Sequence, residues 1–253
     1  AAPPLGEAHA GLAAEVARRT GAWLLVAHAP RAMIDLNRAA DDVDWAMVAG
    51  NGESAEALRG ASEGAGRRAR SGLGLVPRRL AGLGELWRQR LPLAELAARI
   101  DQVHRPYHQA LAAALHDLRD QWGEALLLDL HSMPPLGPRH GALAAADFVL
   151  GDRFGAACAP ALAQSALAEL EWQRRRVAHN RPYAGGHVLD RHGVPARGLH
   201  ALQVEVCRGA YLDSRLRQPG PGFAGVAQVL TALVQRLAGE LAGRGRGLPL
   251  AAE

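Results

Sequence analysis

The sequence predicts a three-layer α/β fold: a largely parallel or mixed sheet with helices on both faces, formed by a single domain over residues 1–253. Three observations predict it. Short apolar runs bounded by turn residues alternate with stretches of helical spacing, the order that builds a sheet covered by helices. The run Ala125-Leu126-Leu127-Leu128 is continuously apolar, as suits a strand buried on both faces of a parallel sheet. The chain carries no internal repeat and no heptad pattern that would argue for a solenoid or a coiled coil.

Taken in order, Glu7 to Thr20 carries Leu12 and Val16 four apart and predicts a short helix, which Gly21 ends. Ala22 to His28 reads as a buried strand. Ala29-Pro30-Arg31 is a break, Ala32 to Leu36 a short second strand, and Asn37-Arg38 closes it ahead of the acidic Asp41-Asp42-Val43-Asp44. Gly50 to Gly74 is rich in Gly, Ser, Ala and Arg with little apolar periodicity, which predicts a surface loop. Pro77 to Arg90 is a connection.

Leu91 begins a helix with Pro92 in its first turn. Leu93, Leu96, Ile100, Val103, Tyr107 and Leu111 keep the helical spacing, and Pro106 should kink or restart it. His104 and His108, four apart, share a face of this helix. That spacing suits a metal pair, but no His-Glu-x-x-His pattern accompanies it, and solvated or core-edge histidines are the commoner outcome.

The strand that opens at Ala125 ends in Asp129-Leu130-His131-Ser132-Met133 before Pro134-Pro135 stop it. Alternation sends Asp129 and His131 to one face, and Leu130 and Ser132 to the other. Polar groups at the carboxyl end of a buried strand lie where open α/β sheets bind ligands. A Pro/Gly loop runs to Gly141, and Asp147 to Asp152 predicts another strand ending in polar groups. Ala156 to Gln173 predicts a helix, Arg176 to His179 a short strand, and Asn180 to His187 a turn-rich loop. His200 to Val206 is a core strand carrying a lone acid, Glu205. Val226, Leu230, Leu233, Leu237 and Leu241 form one face of a last amphipathic helix.

Composition narrows the function class. The 253 residues are 49% hydrophobic and 21% charged, no run approaches a membrane span, and no basic-then-apolar leader opens the chain. Two cysteines, Cys158 and Cys207, are too few for a disulfide framework or a thiolate zinc site, so a cytoplasmic location is expected. The sequence pI near 9.8 reflects a net charge of only +4, carried by scattered arginines interleaved with acids, and argues against a nucleic-acid surface.

Four segments place polar groups near strand ends: Arg31 with Asn37 and Arg38; Asp129 with His131; Asn180 to His187; and Glu205 with Arg208 and Tyr211. A carboxylate such as Glu205 inside an apolar strand costs several kcal/mol unless it is paired or ligated. It is therefore either salt-bridged or functional.

Those residues carry a resemblance. Arg31-x-x-x-Asp35-Leu36-Asn37-Arg38, Val103-His104-Arg105-Pro106-Tyr107-His108, Asp129-Leu130-His131-Ser132-Met133-Pro134, Asn180-x-Pro182-Tyr183-x-Gly185-Gly186 and Val204-Glu205-x-x-Arg208-x-x-Tyr211 resemble the N-formylglutamate amidohydrolase (deformylase) family, in order from about Glu7 to Asp213. That family is similar in fold and site plan to zinc carboxypeptidases and aspartoacylases. The resemblance implies one Zn2+ per chain, with His131 as a ligand and Glu205 as the catalytic carboxylate. It also implies that Arg31, Asn37 and Arg38 bind the substrate's carboxylate. Arg208 and Tyr211 are candidates to stand beside the substrate, with an ordinary interface-facing aromatic the equal alternative for Tyr211.

Counting back without gaps from Arg31 sets Glu7 on the family's metal-binding carboxylate. The turn bearing the first histidine ligand would then precede Ala1. His9-Ala10-Gly11 is a superficial substitute for that turn, within the predicted helix. The chemistry is coherent: zinc wants three protein ligands and an open position, a carboxylate moves the water's proton, and planar guanidinium groups suit a dicarboxylate.

The expected activity is hydrolysis of the amide of an N-acyl amino acid, foremost N-formyl-L-glutamate. The alternatives are a deacylase or carboxypeptidase of other specificity, or a metal-deficient carboxylate-binding relative. The expected partner is a small N-acyl amino acid or dicarboxylate, with no nucleic acid and no membrane.

Overall fold

The computed structural model describes residues 5–49, 67–80, 84–138, 141 and 144–245. Its contacts divide it into two compact units: residues 1–26, 114–185 and 189–253, and residues 27–113 with 186–188.

The first unit is built on a four-stranded sheet. Ala125–Met133 and Leu199–Cys207 run parallel, Phe148–Gly151 runs antiparallel to Leu199–Cys207, and Val177–His179 is parallel to Phe148–Gly151. The sheet is mixed, and Leu199–Cys207 is a central strand buried along its whole length.

Helices Leu5–Thr20 and Pro160–Trp172 both pack on the long helix Phe223–Gly245. Leu12 and Val16, Leu162 and Leu170, and Val226, Leu230, Leu233 and Leu237 pool their apolar faces with Phe148, Leu202, Val204 and Val206 into one core. Leu126, Leu128 and Leu130 pack against that core. The odd-numbered Asp129 and His131 therefore leave the other face, as the alternation predicts. Gly21, at φ +72°, takes the left-handed turn that ends the first helix and bonds back to Ala17 O at 2.8 Å.

The second unit has its own core of Ile34, Val43, Met47, Val48, Leu75, Val76, Leu91, Leu96 and Ile100. Two short pairs, Val48–Ala49 with Leu91–Pro92 and Arg79–Leu80 with Gly84–Glu85, are its strands among the described residues. Helix Leu93–Arg99 passes through a π-helical turn, Ile100–His104, into helix Arg105–Trp122. Pro106 explains the widened turn: it has no N–H to give the preceding turn, and its ring needs room beside that turn's carbonyl.

Several sequence expectations are corrected here. Ala22 to His28 forms no strand; Trp23 is 66% exposed, with Leu24 and Leu25 also exposed. An apolar run specifies burial only when a neighbouring surface receives it, and periodicity does not report that. Ala32 to Leu36 is a turn, because the amides of Met33 and Ile34 both fold back onto Pro30 O. Of the loop expected over Gly50 to Gly74, residues 50–66 lie outside the described residues. Arg67–Arg70 forms a helical turn with Ala69 buried, and Gly74 packs against Asp42 O and Ala69. The helix expected from Leu91 starts at Leu93, after Leu91 and Pro92 pair as a strand.

Candidate active site

In the first unit, the polar groups gather toward the carboxyl ends of the two long parallel strands. His131 and Glu205 are register partners, as are Asp129 and Gln203. In a parallel pair, register partners point the same way, so all four side chains leave the face opposite Leu126, Leu128 and Leu130. Asp129 Oδ2 lies 2.8 Å from His131 Nε2 and orients the ring. Gln203 Nε2 donates to Glu205 Oε1 at 3.1 Å, and Glu205 is buried. The strand thus delivers a carboxylate into a dry position with a donor on one oxygen.

The structure brings His9 to the same place. Its Nε2 bonds to Leu130 O at 2.8 Å, and its Nδ1 is buried with no hydrogen-bond partner. Burial holds the ring below the usual histidine range. The bond to Leu130 opposes this, His131 and Arg208 push the same way, and Asp129 pulls back. The helical prediction for Glu7 to Thr20 is right, and His9, named from the sequence only as a superficial substitute for the first ligand, is carried on that helix to the strand end. The signal that supports it is its spacing: His9 lies three and seven residues before Leu12 and Val16, on the same packed face of the helix.

Arg208 and Tyr211, both expected beside the substrate, converge on Ser132. Arg208 Nε donates to Ser132 Oγ at 3.2 Å, and Tyr211 OH donates to the same oxygen at 3.0 Å. Tyr211 is 1% exposed and its ring belongs to the core, where burial raises its hydroxyl's pKa and keeps it protonated. Asn180 is also structural. Its Oδ1 accepts from Asp152 N at 3.0 Å and its Nδ2 donates to Asp152 Oδ1 at 2.7 Å, locking two loops together. Cys158 is no nucleophile: burial pushes its thiol up to about 12.

In the second unit, Arg31 pairs with Asp35 at 2.9 Å and is largely exposed. Arg38 is buried; its Nε donates to Leu73 O and its Nη1 to Asn37 O, both at 3.0 Å. Asn37 Oδ1 accepts from Val188 N at 3.0 Å. A Cβ on Gly186 would lie 2.5 Å from that same oxygen, so this position must be glycine for the segment to approach.

Of the zinc donors the resemblance implies, His131 is described, and its chemistry fits; so does that of His9, the substitute for the first histidine. His9 offers a buried, unpartnered Nδ1, and His131 is held by a carboxylate in the manner of metal-bound imidazoles. Glu7 lies on helix Leu5–Thr20 with its side chain outside the described residues. Among the described residues, the group of three donors whose ligand atoms all lie within 4.8 Å of one another is a different one: His104, His108 and His187.

The family model for N-formylglutamate amidohydrolase matches residues 7–212. The chain belongs to the N-formylglutamate amidohydrolase family. It is 30% identical over 237 residues to an N-formylglutamate deformylase of Pseudomonas aeruginosa, covering 92% of this chain and 79% of that one. It is 33% identical over 204 residues to an N-formylglutamate deformylase of Pseudomonas putida, covering 79% and 67% respectively. The crystal structure of N-formylglutamate amidohydrolase from Ralstonia eutropha JMP134 superposes with a TM-score of 0.81 at 34% identity, over 94% of this chain and 83% of that one. A gene product of Agrobacterium tumefaciens shares the fold at a TM-score of 0.62 and 18% identity. The mixed α/β architecture expected from the sequence is that of this family. No helix among the described residues is long and apolar enough to cross a membrane.

Proposed function

We propose that this chain hydrolyses N-formyl-L-glutamate to formate and glutamate in a zinc-dependent reaction. Membership of the family and the names of the two Pseudomonas relatives support the substrate. The observation that carries the chemistry is the placement of His131 and Glu205 as register partners on one sheet face.

Glu205, held by Gln203, takes the proton from the attacking water and returns it to the departing amine nitrogen. Asp129 fixes the His131 ring so that one imidazole nitrogen stays aimed away from it. Arg208, anchored on Ser132, supplies positive charge near developing negative charge on the amide oxygen. We assign carboxylate binding to Arg31, Asn37 and Arg38 on the resemblance of their segment, and we place Tyr211 as the group that positions Ser132 and Arg208. His131, His9 and Glu7 would hold the zinc. When bound, it polarises the amide carbonyl and brings a water's pKa to about 7.

The test is formate release from N-formyl-L-glutamate, measured against N-acetyl- and N-succinyl-glutamate. Preference for the formyl substrate, abolished by chelation and restored by zinc, is expected. Turnover that survives full metal removal would overturn the zinc dependence, and preference for a larger acyl group would overturn the substrate.

A further inference from the structure

We propose that His104, His108 and His187 form a second site, for a borderline divalent transition-metal ion of the zinc type, within the second unit. One ring nitrogen from each histidine lies within 4.8 Å of the others. The rings are in mutual contact, with centroids 4.4 Å apart for His104 and His108, 5.1 Å for His108 and His187, and 5.8 Å for His104 and His187. His104 and His108 are both buried.

Two features separate this cluster from ordinary core histidines. First, the outer hydrogen bonds are those a metal-bound imidazole uses. His104 Nε2–H donates to Arg38 O at 2.8 Å, and His108 Nε2–H to Leu36 O at 3.1 Å. With the proton on Nε2, the lone pair of each neutral ring stands on Nδ1, and a backbone carbonyl fixes both tautomer and ring plane. Second, three distinct local devices converge here. The π-helical turn ends at His104, one helical turn sets His108 above it, and the Asn37–Val188 bond with the glycine at 186 seats His187 opposite.

The donor set selects the ion. Three neutral imidazoles with no carboxylate suit Zn2+, Co2+, Ni2+ or Cu2+ and not Mg2+ or Ca2+, which take oxygen ligands. Nitrogens around a tetrahedral zinc stand about 3.4 Å apart, so the rings need to draw in by at most about 1.4 Å from their 4.8 Å limit. The carbonyls that brace the two helical histidines belong to Leu36 and Arg38, on either side of Asn37. An ion here therefore stiffens the segment to which carboxylate binding is assigned above. That consequence rests on the proposed function; the site itself does not.

The experiment uses the full chain, stripped with chelator and titrated with Zn2+ against a chromophoric competitor, beside its His187→Gln and His131→Ala variants. We expect one equivalent whose affinity survives His131→Ala and falls at least about tenfold in His187→Gln, since even outer-shell changes cost that much. Absence of that equivalent, or affinity indifferent to His187→Gln, overturns the proposal. Zinc lost in His131→Ala but kept in His187→Gln also overturns it, while leaving the strand-end zinc of the proposed function standing. Cu2+ bound to the His131→Ala chain should show electron-spin-resonance hyperfine structure from three imidazole nitrogens. A signal lacking nitrogen ligation overturns the proposal without any change to the cluster.

Discussion

His131 and Glu205 stand side by side on two neighbouring parallel strands, and both leave the face of the sheet opposite Leu126, Leu128 and Leu130. An imidazole and a carboxylate from positions 74 residues apart in the chain thus share one surface, although sequence spacing gives no hint of it.

Glu205→Gln should test that surface most directly. Glutamine keeps the shape and the partner Gln203 but cannot hold a proton, so kcat for N-formyl-L-glutamate should fall about 10²–10⁴-fold with KM little changed. Steady-state kinetics with unchanged circular dichroism checks it. Full activity in the variant would remove Glu205 from the chemistry.

Asp129→Asn should cost less. The ring of His131 loses its anionic partner at 2.8 Å but keeps its place in the strand, and a roughly 10–100-fold loss of zinc affinity or activity is expected. Zinc titration of the variant distinguishes this from an unaltered site.

Arg31 and Arg38 should part company when each is changed to alanine. Arg31 is 62% exposed at its side chain, so its pair with Asp35 is worth about 0–1 kcal/mol, and the loss should appear in KM alone. Arg38 is buried between two carbonyls and the carboxylates of Asp35 and Asp42. Its removal should destabilise the fold by about 3–5 kcal/mol. Denaturant melts of both variants provide the comparison.

Stability should fall as pH drops below about 6.5, the ordinary histidine value. Burial holds His9 and His200 below that value, with Arg244 adding to the effect at His200 and Glu124 opposing it. The unfolded chain therefore binds protons that the folded chain refuses. The penalty is absent above the unfolded pKa and grows as pH falls toward the folded one. His200 is 1% exposed, so His200→Gln should flatten the acid side of a plot of urea midpoint against pH. An unchanged slope would assign the effect elsewhere.

Local pattern carried most of the elements. Leu12 and Val16, the Leu126–Leu130 run and the Val226–Leu241 stripe each repeat at the period of the structure they form, so the helices and long strands were legible. The motif residues were legible too, because a carboxylate or imidazole at the end of an apolar strand stands out against its neighbours. Ala22 to His28 departs from its expected strand for the same reason: the run has strand composition, but no strand of the sheet pairs with it among the described residues.

What the sequence determined by itself was the family, the alternation that sends Asp129 and His131 to one face, and the residue types available for hydrolysis. Tertiary structure alone decided that Glu205 sits across from His131, that His9 reaches the strand end, and that His187 joins His104 and His108. Those relations depend on strand register and on loops closing over tens of residues. Such closure is chosen by the packing of the whole unit, and no local period encodes it.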